Sequence, residues 1–259
     1  MKTVVITEGT SGIGRVLART HLKRGDRAVV VGTDQAEAEP GAWFIRADLE
    51  LIDENRRLTD LLSAELDAID VLVLGARFQR SRRTETADGL ESNFALTYLS
   101  RFLPSHGLAG LLGHAADPVV LNVGGAGRFG PPRWDDLQQR TWYHGLTAMI
   151  QAGVLNAALA VDFVGRHPAI RYVNNFPGTV ATSFAGDYDE AEAAQIGRLR
   201  ATGKPEETAV EEILPFLGSG TPGHRVAVSE GVAVPLDPQA SSPADVRRLY
   251  DYAREVLAR

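Results

Sequence analysis

Eight residues near the N-terminus carry the most informative spacing in the chain: Thr7-Glu8-Gly9-Thr10-Ser11-Gly12-Ile13-Gly14. Glycines at positions 9, 12 and 14 follow the apolar run Thr3–Ile6 and open a helix-compatible stretch. Glycine adopts cheaply the backbone shapes that a tight strand-to-helix turn needs. Such a turn offers main-chain N–H groups at a helix N-terminus, a place where a pyrophosphate binds. Other chemistries lack their residues. With no cysteine there is no disulfide, thiolate metal site or cysteine nucleophile. The histidines (His21, His106, His114, His144, His167 and His224) are scattered, so no metal site is expected. No G-x-S-x-G elbow occurs, and Gly203-Lys204-Pro205 does not complete a P-loop.

The elements that must position this turn alternate. Strands are predicted at Val4–Ile6, Ala28–Val31, Trp43–Ile45, Val71–Leu74, Val119–Val123, Arg171–Asn175 and Arg225–Val228. Helices are predicted through Arg15–Lys23, Asn55–Leu66, Asp88–His106, Leu146–Val164 and Val210–Leu217, with a last one from Pro243 to Leu257. Pro243 after Ser241-Ser242 is a helix-start signal. Alternating βα units imply an α/β chain with a Rossmann-type doubly wound parallel sheet and helices on both faces. The 259 residues suit one domain spanning 1–259, and no linker or repeat divides them.

A formal net charge of −6 argues against a nucleic-acid or acidic-membrane partner. No apolar run reaches a membrane span, and the chain enters a strand at once without a signal peptide. A cytoplasmic protein is expected.

The glycine run resembles the TGxxxGIG element of the short-chain dehydrogenase/reductase superfamily. Asp48-Leu49 resembles its adenine-contacting pair. Pro177-Gly178-Thr179-Val180-Ala181-Thr182 resembles its PG-x-V-x-T element beside the nicotinamide. Asp88-Gly89-Leu90-Glu91 with Phe94 and Phe102-Leu103, and the stretch Pro243–Leu257, resemble the retinol-dehydrogenase-like branch. The profile is most similar to the ketoreductases that tailor angucyclinone antibiotics in actinomycetes. The resemblance implies a cofactor site at Thr7, Gly9, Thr10, Ser11, Gly12, Ile13, Gly14, Arg15, Thr33, Asp48, Leu49, Gly75, Pro177, Gly178, Val180 and Thr182. NADP(H) is expected because Gly32 stands where NAD enzymes place an acid, Thr33 follows it, and Arg15 matches a basic residue that favours NADP; Asp34 is a counter-signal. Glu8 replaces the element's first glycine and is expected to face away from the pyrophosphate.

The family's catalytic groups are not matched. Its tyrosine–lysine pair falls on Thr147 and Gln151, its serine on Gly125 and its asparagine on Thr97; Asn93 lies one turn off. Only Lys2, Lys23 and Lys204 exist. The NNAG element reads Leu74-Gly75-Ala76-Arg77. Tyr143 and His144 are candidate proton donors, with Tyr98 and Tyr188 behind them. Two readings stay open. In one, an NADPH-dependent ketoreductase takes its proton from a substrate phenol or from water, which fits an aromatic polyketide substrate. In the other, a catalytically inactive NADP-binding protein senses cofactor or holds a partner.

In the family the stretch after the nicotinamide element forms a substrate lid. Here it is expected at about 183–205, with Phe184, Tyr188, Ile196 and Leu199 as its apolar face and Asp187, Asp189, Glu190 and Glu192 solvated. Residues 126–146, with Arg128, Phe129, Pro131-Pro132, Trp134 and Trp142, make a long connection that lines the entrance or covers the face through which relatives tetramerise. A monomer is expected.

Overall fold

Parallel strands buried on both faces read as near-continuous apolar runs, and that is how the central sheet is written. In the computed structural model, which describes residues 1–125, 131–181, 184–221, 223–236 and 242–258, the strands are β1 (Thr3–Thr7), β2 (Arg27–Gly32), β3 (Trp43–Arg46), β4 (Val71–Leu74), β5 (Gln79–Arg80), β6 (Val119–Val123), β7 (Arg171–Phe176), β8 (Gly186–Asp187), β9 (Arg225–Ser229) and β10 (Val232–Val234). Eight of them form one sheet in the order β10-β9-β7-β6-β4-β1-β2-β3. All neighbours pair in parallel except the edge strand β10. The order reverses between β1 and β4. Crevices at the carboxyl ends of strands at such a reversal are where ligands bind in open α/β sheets.

The helices are α1 (Gly12–Lys23), α2 (Ile52–Glu65), α3 (Ser92–Phe94), α4 (Ser100–Gly107), α5 (Ala109–Gly113), α6 (Gly145–Arg166), α7 (Glu190–Thr202), α8 (Glu206–Ile213) and α9 (Pro243–Leu257). Strand side chains alternate between two apolar layers. Val5, Val29, Val31, Leu72 and Leu74 meet Leu58, Phe102, Leu155, Phe163 and Leu249 from α2, α4, α6 and α9. Val4, Ile6, Val30 and Val73 meet Leu17, Val210 and Ile213 from α1 and α8. Helix α6 has the length and apolarity of a membrane span, contrary to the expectation that no segment would, but 67% of its most apolar window is buried inside the protein. It is a core helix.

The predicted helix Asp88–His106 is corrected. It begins at Ser92, because the Glu91 carboxylate caps it by accepting from the N–H groups of Asn93 (2.9 Å) and Phe94 (2.7 Å). A π turn over Ala95–Leu99 then separates α3 from α4. The two-residue strands β5 and β8 pair with each other, Gln79 with Gly186 and Arg80 with Asp187. This pairing, for which the sequence held no signal, fastens the segment after β4 to the segment after β7.

Candidate active site

The turn after β1 is built by close approach. Gly9 packs on β2, where a Cβ would come 2.9 Å from Val30. Gly12 sits at φ +52. A Cβ on Gly14 would come 2.2 Å from the Glu8 carbonyl oxygen. Any side chain at Gly14 would therefore separate α1 from the turn. Ser11 precedes α1 without capping it through its side chain, and no acid occupies the first turn. The N–H groups at the start of α1 thus face the crevice with the positive end of the helix dipole behind them.

Two adjoining cavities lie over the carboxyl ends of the strands. One, of ≈ 380 Å³, is lined by Thr10, Gly32, Thr33, Asp48, Leu49 and Arg80 among others. The second, of ≈ 260 Å³, is lined by Gly12, Ile13, Gly14, Gly75, Gly125, Met149, Ile150, Phe176, Pro177, Gly178, Phe184 and Leu199. Glu8, Ser11 and Arg77 line both, and so mark where the two meet. The first cavity is mixed in polarity; the second is mainly apolar. A separate groove of ≈ 690 Å³, between Trp134–Arg140 and α9, lies away from the glycine turn.

Residues of the segment after β7 reach over to the segment after β4. Gln79 N–H donates to Ala185 O (3.0 Å), and Ser81 N–H donates to Asp187 O (3.0 Å). Asp189 N–H donates to Ser81 Oγ (2.9 Å). The Arg77 guanidinium stands 5.7 Å from the centre of the Phe184 ring.

A family model for short chain dehydrogenases matches residues 2–130. The Streptomyces protein named "Putative daunorubicin C-13 ketoreductase DnrU" is 31% identical over 70% of this chain and 67% of its own length. The chain belongs to the short-chain dehydrogenase family. Human dehydrogenase/reductase SDR family member 12 is 26% identical over 98% of this chain and 86% of its own. The chain spans 61% of a yeast uncharacterised oxidoreductase and 49% of bovine retinol dehydrogenase 12. A solved structure of an uncharacterised protein from Mycobacterium paratuberculosis shares the fold, with a TM-score of 0.74 at 22% identity, covering 100% of this chain and 94% of that one.

The nicotinamide cofactor of the short-chain dehydrogenase family fits the observed cradle. Glycines whose side chains would close the turn, the uncapped start of α1 and the paired cavities suit a dinucleotide. Of the sequence-predicted residues, Thr10, Thr33, Asp48 and Leu49 line the first cavity, and Ile13, Gly75, Pro177 and Gly178 line the second. Some of the sequence-predicted residues support the turn and do not line it. Thr7 Oγ1 donates to Val73 O (3.2 Å) and accepts from Gly75 N–H (2.9 Å), which locks β1 to β4. Val180 is fully buried beneath the PG loop. Arg15 turns outward to Glu39 (2.8 Å) and Glu37 (3.6 Å) and lines neither cavity. Asp34 caps a short turn by accepting from Ala36 N–H. Thr182 lies outside the described residues, as do Arg128, Phe129 and Ser183.

The expected catalytic positions are accounted for individually. Gly125 lines the apolar cavity, where a Cβ would come 3.5 Å from Gly153 Cα. Thr97 is buried and its hydroxyl donates to Asn93 O, while its own carbonyl accepts from Asn156 (2.8 Å). Thr147 and Gln151 do not line the cavity. Helical rotation presents Met149 and Ile150 to it instead, and Gln151 turns to accept from Arg133 N–H at 3.4 Å. The candidate donors are engaged elsewhere. Tyr143 hydroxyl accepts from Asn93 Nδ2 (2.9 Å) and donates to Arg80 O (3.1 Å), and burial raises its pKa. His144 is exposed and stacks on Trp142 at 6.1 Å. Tyr98 is buried against Phe94 and Phe102, and Tyr188 donates to Phe184 O at 3.2 Å.

Glu8 overturns its expectation. It adopts φ +58, a conformation natural to the glycine it replaces, and its side chain faces the crevice. Desolvation pushes its carboxyl up to about 7, with the charges of Arg77 and Arg101 and the Arg77 main-chain N–H pulling the other way. Arg101 is fully buried below; it donates to Asn122 Oδ1 and, at 3.2 Å, to Ala76 O. Burial lowers its pKa to about 10. It thereby fixes the segment that carries Arg77. Neither arginine was a sequence-predicted site residue; position 77, in the departed NNAG element, was the available signal.

Proposed function

We propose that the protein is an NADPH-dependent ketoreductase acting on a ketone of an aromatic polyketide, of the angucyclinone type met in antibiotic biosynthesis. On this reading the reaction is of the kind carried out by the simocyclinone 7-ketoreductase, which the motif pattern resembles. The observation that carries this reading is the apolar cavity beside the PG loop. Met149, Ile150, Phe176, Phe184 and Leu199 offer flat contact surface, and among the described residues no acid or base lines its α6 side. An apolar pocket with few polar anchors suits a polycyclic ligand. The relative named as a ketoreductase of daunorubicin supports a ketone substrate. Gly32 and Thr33 at the end of β2, with Asp34 turned into a cap, support NADPH over NADH.

When bound, NADPH supplies the hydride. The chain's residues hold it through the start of α1 and the PG loop, and the lid excludes water. A positioned general acid is worth about 10²–10⁴ in rate. With Tyr143 and His144 engaged elsewhere, the proton comes from a phenol on the substrate itself or from water. The test compares a phenol-bearing ketone with its O-methyl ether. A fall in kcat of about 10²-fold for the ether is expected, and equal turnover of the two removes the phenol as donor. A ketone panel that leaves NADPH unoxidised despite tight binding would favour the inactive NADP-binding reading.

A further inference from the structure

Two glycine positions of the family hold opposite charges here. Glu8 stands at the first glycine of the TGxxxGIG element, and Arg77 stands at the last position of the NNAG element. They sit on adjacent loops at the carboxyl ends of β1 and β4, the two strands between which the sheet order reverses. Both line both cavities, so they flank the junction between the adenosine and nicotinamide halves. The N-terminus of α1 opens at the same junction through Ser11.

The arginine is not spent on its neighbour. Among the described residues no ion pair joins Arg77 to Glu8. Arg77 Nε and Nη2 are shielded from solvent and find no hydrogen-bond acceptor. Its contact with the Phe184 ring, 5.7 Å from Cζ to the ring centre, supplies no oxygen or nitrogen acceptor. Buried N–H donors without partners are costly to keep, and a guanidinium edge matches paired phosphate oxygens. Glu8 alone would repel a phosphate at this place. With Glu8 ionised the pair is neutral, and its cationic member is the one with unmet donors.

We propose that Arg77 binds the pyrophosphate of the dinucleotide directly, and that Glu8 and Arg77 act as a compensated pair in which Arg77 cancels the repulsion Glu8 would otherwise exert. The proposal rests on the dinucleotide reading above. It assigns to the loop after β4 a phosphate contact in addition to the glycine turn.

The test is equilibrium binding of NADPH to the full chain, with the wild type, Arg77→Gly, Arg77→Met and the double variant Glu8→Gly/Arg77→Gly. Adenosine 2′-phosphate, which lacks the pyrophosphate, serves as a second probe, and thermal unfolding reports on folding. Both single variants are expected to bind NADPH about 100-fold more weakly while binding adenosine 2′-phosphate as the wild type does. The double variant is expected to recover at least tenfold over Arg77→Gly, because removing the arginine then leaves no uncompensated carboxylate. Wild-type NADPH affinity in Arg77→Met overturns the phosphate contact. A double variant no better than Arg77→Gly overturns the pairing. Equal weakening for both probes assigns Arg77 a general structural role and also overturns the contact. If the wild type binds no NADPH, the cofactor reading itself fails, which is a separate result.

Discussion

Replacing Glu8 by glutamine should change how stability depends on pH. A glutamate ordinarily titrates near 4.5, and burial at the mouth of the crevice raises this one to about 7. Below pH 4.5 the folded and unfolded forms are both protonated. Between 4.5 and 7 the unfolded chain releases this proton while the folded chain retains it, so folding loses stability as pH rises; above 7 the loss is complete. Each pH unit of displacement is worth about 1.4 kcal/mol. The wild type should therefore lose about 3 kcal/mol from this group, an upper bound because the side chain is partly open to the crevice. Glu8→Gln keeps the size and the hydrogen-bonding capacity and cannot ionise. Urea unfolding of the cofactor-free proteins at pH 5 and at pH 8.5 gives the two stabilities. The variant should gain on the wild type by about 2–3 kcal/mol between those pH values. A difference that stays constant with pH, or that moves the other way, refutes the buried-carboxylate argument; comparing the two proteins cancels every other titrating group.

Glu39→Ala releases Arg15 from its 2.8 Å contact and should tighten NADPH several-fold while leaving NADH unchanged, read as the ratio of their Kd values; an unmoved ratio shows that Arg15 does not reach the 2′-phosphate. His106 is packed against Phe102, Phe163 and Tyr250. Although Asp162 lies 3.4 Å away without a hydrogen bond, burial and the cations around it push the imidazole down to about 3. Its contribution is present above pH 6.5 and is lost as pH falls, so His106→Phe should gain about 2 kcal/mol on the wild type between pH 7.5 and pH 4; parallel acid-unfolding curves would contradict this.

The sheet was legible because its strands are β-branched runs punctuated by glycine, as at Val119–Val123 before Gly124. The nucleotide cradle was legible because Gly9, Gly12 and Gly14 answer local steric demands that spacing alone reveals. Side-chain direction was not. The repulsion that predicts an outward Glu8 is opposed by Arg77, sixty-nine residues distant in the chain, and by Arg101 beneath it. Arg15 was expected at the cofactor, but its partner Glu39 comes from the connection after β2, where the sequence offers no pattern. On α6 the cavity is met by Met149 and Ile150 and not by Thr147 and Gln151, a helical rotation that the spacing from Pro177 does not carry.

The β5–β8 stitch has a kinetic meaning. A roof tied down by main-chain hydrogen bonds at both Gln79 and Ser81 must come undone before a long, two-ended ligand can slide out from beneath it. Under the proposed function, departure of the spent nucleotide becomes the slow event of the cycle, paced by how often that seam unzips.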